Sequence, residues 1–145
     1  MTTVNVYLTF EGNCEEAFNF YKSVFGGEFA SVNRFKEMPP QEGMEMPKED
    51  GDKIMHISLP IGPQTILMAS DTGGQWAGKT VFGNNFSLSI NTDSKKEADR
   101  LYNELSVDGI QTMPMNQTFW GSYYGMFTDK FGINWMVSFD ERTTH

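Results

Sequence analysis

The sequence predicts an α+β fold made of two consecutive βαβββ modules. Three observations carry the prediction. Apolar and polar residues alternate in short runs, as half-buried strands require. Each half holds one segment with helical apolar spacing, introduced by a capping pattern. The order of elements recurs after about 80 residues, too long for a solenoid and suited to a duplicated supersecondary unit.

Val4 to Phe10 alternates in period two and reads as the first strand. Asn13-Cys14-Glu15-Glu16 reads as a helix start, with Asn13 as cap and Glu16 three residues on. Ala17, Phe18, Phe20, Tyr21, Val24 and Phe25 make the helix's apolar face, and Gly26-Gly27 stops it. Glu28 to Glu37 reads as a strand. Met38 to Asp52, rich in Pro, Met and Glu, reads as a long loop. Lys53 to Pro60 and Gln64 to Ser70 read as a hairpin turning at Ile61-Gly62-Pro63.

The glycine-rich segment 72–84 reads as a connector between modules 1–71 and 85–145 of a single domain. Asn85 to Ile90 alternates like the first strand, and Ser94-Lys95-Lys96-Glu97 is a second capping box. Ala98, Leu101, Tyr102 and Leu105 supply the second helical face, which Asp108-Gly109 ends. Ile110 to Thr118, Ser122 to Asp129 and Ile133 to Phe139 read as three further strands. The halves also correspond residue by residue: Asn5 and Leu8 with Asn85 and Leu88, and Ala17, Phe20, Tyr21 and Val24 with Ala98, Leu101, Tyr102 and Leu105.

Composition narrows the function classes. The net charge of -8 and the absence of any Lys/Arg run disfavour nucleic acid, whose phosphates need clustered cations. No apolar run approaches membrane-spanning length. The chain opens with no cationic stretch followed by an apolar core, so no secretory leader is expected. Cys14 is the single cysteine, which rules out an intramolecular disulfide and a Cys-rich zinc site. A cytoplasmic protein is expected.

The stretch from Trp120 to Trp135 is the most specific in the chain. It combines aromatics, glycines and the turn Asp129-Lys130-Phe131-Gly132, and closely resembles the C-terminal signature of the PhnB-like branch of the glyoxalase/bleomycin-resistance/dioxygenase superfamily, the vicinal-oxygen-chelate fold. The branch's usual form is Asp-Pro-Phe-Gly-His-x-Trp; here Lys130 replaces the Pro and Asn134 the His. The resemblance covers nearly the whole chain. It implies two modules whose sheets pair into a concave cup that binds ligands, and it implies a homodimer.

Strand parity assigns the residues of that cup. Val4, Val6, Leu8 and Phe10 face the helix, and Asn5, Tyr7 and Thr9 face the cup. In the second module Phe86, Leu88 and Ile90 face the helix, and Asn85, Ser87, Ser89 and Asn91 the cup. His56 and Ser58 face the cup, as do Asn134, Met136 and Ser138, while Trp135, Val137 and Phe139 face the helix. Placed polar groups amid Met and aromatic side chains suit a small-molecule pocket.

Metal-dependent members of the superfamily take His and Glu ligands from two positions per module. By the repeat register these positions are Asn5, Met68, Asn85 and Met136 here. Two amides and two thioethers suit Zn, Ni, Fe or Mn poorly. A Cu(I) site made of thioethers alone stays open, although core filling is the commoner use of Met. The chain has two histidines, one of them the terminal His145. No metal and no other cofactor is expected.

The best reading is a metal-free protein that holds an unidentified small organic ligand in the cup. Asn5, Tyr7, His56, Asn85, Ser87, Trp120 and Tyr124 would line it, with Met68 and Met136 at its floor. His56 is the one candidate acid/base, since imidazole exchanges protons near neutral pH; the plain alternative is a hydrogen-bonded wall residue. Trp120 is placed at the pocket rim. Met38, Met44 and Met46 suggest an adaptable lid or a surface loop. Cys14 beside Glu15 and Glu16 reads as an inert thiol. Two alternatives differ in class: a lyase or isomerase, metal-dependent or using His56, and an interaction module with an apolar patch outside the cup.

Overall fold

The computed structural model describes residues 2–37, 50–73 and 77–141. Most of the predicted 38–52 loop, including Met38, Met44 and Met46, lies outside the described residues, as does His145. The elements follow the order βαβββ twice, in two compact units, Met1–Val81 and Phe82–His145.

In the first unit β1 (Val6–Phe10) leads into α1 (Cys14–Phe25), followed by β2 (Ser31–Arg34), β3 (Ile54–Ile61) and β4 (Thr65–Asp71). The sheet order is β1-β4-β3-β2, with β1 parallel to β4 and the remaining pairs antiparallel. The second unit repeats this with β5 (Leu88–Asn91), α2 (Lys95–Leu105), β6 (Ile110–Gln117), β7 (Ser122–Thr128) and β8 (Asn134–Asp140), in the order β5-β8-β7-β6. In each unit the strands on either side of the helix are not neighbours; the one parallel pair joins the first and last strands, and the chain between them runs through the helix and two further strands.

One face of each sheet is closed by its helix. Ala17, Phe18, Tyr21 and Val24 of α1 meet Leu8, Phe10, Ile57, Leu59, Leu67 and Ala69, all buried. Ala98, Leu101, Tyr102 and Leu105 of α2 cover Phe127, Trp135 and Val137. Tyr102 packs edge-on against Phe127 and donates its hydroxyl to the Met113 carbonyl at 2.9 Å. Gly125 makes room for this ring, since a Cβ there would stand 2.9 Å from Tyr102 Cε2.

Several local expectations shift. Ser94 accepts from the Glu97 N–H at 3.1 Å, so the cap half of the second box forms, while the Glu97 carboxylate bonds Arg100. The first does not: Asn13 makes no side-chain cap bond, and Asp71, from the end of β4, takes its place. β2 is shorter than predicted because residues Phe35–Glu37 turn into a 3-10 helix. β1 begins at Val6, leaving Val4 96% exposed, and β5 begins at Leu88, leaving Phe86 62% exposed, so neither side chain reaches the helix side.

Candidate functional site

Parity within the observed strands leaves the other face of each sheet without a helix. In the first unit the cross-strand row Tyr7–Met68–Ser58–Ser31 runs over this face, with Thr9, Ser70, His56 and Asn33 beside it. Tyr7 is 50% exposed, and its ring stacks on His56 with centroids 5.8 Å apart and planes at 29°. The two rings come from β1 and β3 and so bridge the intervening β4. Ser31 and Ser58 hydroxyls bond each other at 2.8 Å, which satisfies the buried Ser58. Among the described residues neither the Tyr7 hydroxyl nor the His56 ring makes a hydrogen bond. Tyr7, His56 and Met68 are therefore brought together on this face.

In the second unit the helix-free face carries Ser89, Met136 and Met126 in one row and Asn91, Ser138, Tyr124 and Asn116 in the next. Ser138 donates to the Asn91 side chain at 2.9 Å. Tyr124 lies tilted beside Trp120 with centroids 6.4 Å apart, and Phe119 meets Trp120 edge-on at 5.0 Å. Trp120, in the turn between β6 and β7, is 47% exposed, as a rim residue would be. Met126 was not anticipated; its pairing with Met136 follows from the β7–β8 register, which the sequence does not state.

Asn5, Asn85 and Ser87 fall outside the strands. Asn5 precedes β1 and is exposed, and Asn85 and Ser87 precede β5. Their period-two pattern is real, but the chain before Leu88 is instead tied by Asn134. That amide donates to the Gly83 carbonyl at 2.8 Å and the Phe86 carbonyl at 3.4 Å, and its oxygen accepts from Thr128 Oγ1 at 2.8 Å. The residue that stands where the branch usually has His is thus committed to anchoring the connector.

Two buried carboxylates also serve the backbone. Asp71 accepts from the N–H groups of Gly12, Cys14 and Ile54 at 2.8, 3.0 and 2.9 Å. Asp129 accepts from Phe131 and Ile133 N–H and from Trp135 Nε1, at 2.8, 3.0 and 2.8 Å. Cys14 is fully buried, and burial first, then the charges of Asp71 and Glu15, push its thiol far up from the ordinary value. Tyr123 points to the helix side, where its hydroxyl bonds Asp99 at 2.6 Å, a bond that holds the phenol up.

The superfamily's four metal positions fit a metal poorly in this chain. Asn5 and Asn85 lie off the strands, and Met68 and Met136 offer thioethers, so the donor set suits no borderline divalent ion. Among the described residues no three of His, Cys, Asp and Glu come together as an ion-holding group.

Comparison with known proteins places the chain. The model of the family described as 3-demethylubiquinone-9 3-methyltransferase matches residues 2–138. Protein YjdN of Escherichia coli is 30% identical over 141 residues, 91% of each chain. The crystal structure of protein PA1353 from Pseudomonas aeruginosa is 39% identical, with TM-score 0.80 over 97% of this chain and 98% of the other. A putative 3-demethylubiquinone-9 3-methyltransferase, PhnB protein, from Bacillus cereus is 25% identical, with TM-score 0.75 over 95% and 99%. The fold alone is shared with a glyoxylase/bleomycin resistance protein/dioxygenase domain from Frankia, 15% identical, with TM-score 0.67 over 97% and 98%. The chain belongs to the PhnB-like, 3-demethylubiquinone-9 3-methyltransferase family and has the glyoxalase/bleomycin-resistance fold.

Proposed function

We propose that this member of the PhnB-like family binds a small organic molecule on its helix-free sheet faces and uses no metal to do so. One observation carries the reading. Tyr7 and His56 form a stacked pair on such a face, and neither makes a hydrogen bond among the described residues. A half-exposed ring surface with unused polar tips supplies both apolar area and orienting groups, which is what a ligand site needs. Met68, beside Tyr7 in the register, adds an adaptable floor. Trp120, Tyr124 and Met136 do the same in the second unit, and Asn5, Asn85 and Ser87 lie at the ends of the faces.

The test is a thermal-shift screen of a small-molecule library, with hits measured by calorimetry. Tyr7→Ala and His56→Ala are expected to weaken binding at least tenfold while leaving the melting temperature of the free protein nearly unchanged. Hits that bind both variants as they bind the wild type would sink the reading.

A second reading rests on the same imidazole. With no hydrogen-bond partner among the described residues, His56 has the freedom to move a proton to or from a bound molecule, as a lyase or isomerase requires. Turnover lost in His56→Ala with ligand affinity retained would select it. Methyl transfer, named in the family's description, finds less support. The strand-to-helix turns Glu11-Gly12-Asn13 and Thr92-Asp93-Ser94 lack the glycine-rich loop of a dinucleotide-type donor site. The same proposal places the protein in the cytoplasm as a homodimer, in keeping with its acidic charge and single thiol and with the family resemblance; light scattering on eluted protein tests the dimer.

A further inference from the structure

Charge is distributed unevenly between the sheet faces and the rest of the molecule. The chain is 21% charged, so a ligand face could be expected to carry several ionic side chains. In the first unit the helix-free face has none of its own among the described residues: it is made of Tyr7, Thr9, Ser31, His56, Ser58 and Met68, with Asn33 and Ser70. Six of the described cations are paired elsewhere. Lys22 pairs with Glu28, Arg34 with Glu15, Lys36 with Asp52 and Lys53 with Asp50. Lys95 pairs with Glu141, and Arg100 with Glu97 on α2. Carboxylates stand at the margins of the faces, among them Glu11 just after β1, which accepts from the Thr80 N–H at 2.9 Å. Glu37 receives a long 3.5 Å bond from Asn33 at the β2 edge, and Asp140 closes the end of β8.

We propose that the ligand is an uncharged planar ring compound with a hydroxyl or carbonyl group, stacked on the Tyr7–His56 surface of the first unit. This rests on the binding function proposed above. A carboxylate or phosphate brought to this face would lose water and gain no cation from the face's described residues, and burying an unpaired charge is unfavourable by more than stacking returns. An ammonium would find no carboxylate within the face itself. A neutral ring can extend the Tyr7–His56 stack from an outer face of the pair, in the offset arrangement that aromatic rings prefer. Its oxygen meets the unused Tyr7 hydroxyl and His56 nitrogens.

The experiment compares three probes of one shape: 2-naphthol, 2-naphthoate and 2-(aminomethyl)naphthalene, titrated at neutral pH into the full chain and followed by amide and side-chain NMR shifts. The expected result is saturation by 2-naphthol with shifts at Tyr7, His56 and Met68. 2-Naphthoate should bind at least tenfold more weakly, and Tyr7→Ala should abolish the shifts at His56. Equal or tighter binding of the naphthoate or of the ammonium overturns the assignment of an uncharged ligand. If non-planar library hits shift these residues and no naphthalene does, the ring class is overturned while binding on the face stands. If no probe and no library hit shifts them, the binding function fails as well. The imidazole's part is read from His56→Gln, which keeps a donor and an acceptor but loses the ring; 2-naphthol is expected to bind it at least tenfold more weakly, and affinity retained within about threefold would overturn stacking on the imidazole.

Discussion

Replacing Asp71 by alanine should be the most destabilising single change at any carboxylate of the first unit. Its side chain is 4% exposed and accepts three backbone N–H groups, two at the entrance of α1 and one at the start of β3. Hydrogen bonds to a charged group contribute about 1.5–3 kcal/mol each, and a buried N–H left without an acceptor costs about 1–3 kcal/mol. The Gly12 and Cys14 groups lie at a helix end, where water reaches more readily; loss of a helix cap costs about 1 kcal/mol. The Ile54 N–H belongs to a fully buried residue and bears the larger penalty. The sum is about 4 kcal/mol for Asp71→Ala. At this chain length that lowers Tm by roughly 8–16 °C. Asp71→Asn keeps one oxygen for Gly12 and Cys14 but turns an NH2 toward Ile54, and should lose most of that, about 3 kcal/mol. Urea unfolding followed by far-UV circular dichroism measures both, with the m-value required to stay constant. A loss below about 1 kcal/mol for Asp71→Ala would refute the view that this carboxylate, rather than Asn13, closes the helix start.

Gly125→Ala should lose about 1–3 kcal/mol by overpacking, because its Cβ would stand 2.8 Å from Met115 Sδ and 3.0 Å from the Met113 carbonyl oxygen, which the sheet holds in place. Cys14 should resist aromatic disulfide reagents in native protein up to pH 9 and react only on unfolding, since burial and the neighbouring carboxylates hold the thiol protonated; labelling followed by mass spectrometry measures this. Arg34 forks onto Glu15 at 2.6 and 3.1 Å and holds that carboxyl below its usual range. A carboxylate depressed on folding stabilises above its unfolded pKa and loses that contribution as pH falls through the folded value. The stability difference between wild type and Glu15→Gln should therefore be present at pH 7, stay within about 1 kcal/mol for so exposed a pair, and vanish in acid. Denaturant midpoints at pH 7 and in strong acid decide it.

What the sequence determined by itself was the order of elements, the helix faces and the duplication, because these depend on neighbours within a few residues. Alternation placed Leu8, Phe10, Trp135 and Val137 on the helix side, where they are buried. The Ser94 cap bond spans three residues and could be read directly. The Asp129 turn and the aromatic signature that follows it pointed to the family the comparisons show. Tertiary structure decided everything that spans strands. Asn13 had the right chemistry for a cap, but Asp71, 57 positions from Cys14, reaches the helix N-terminus because β4 pairs parallel to β1 and ends beside it. Asn85 and Ser87 alternate like strand residues, yet the Asn134 amide holds the Gly83–Phe86 backbone away from pairing. The Tyr7–His56 stack joins residues on β1 and β3 and exists only because β4 inserts between them. Parity can name the face of a side chain; only the strand order and register choose its neighbours, and a ligand site is made of neighbours.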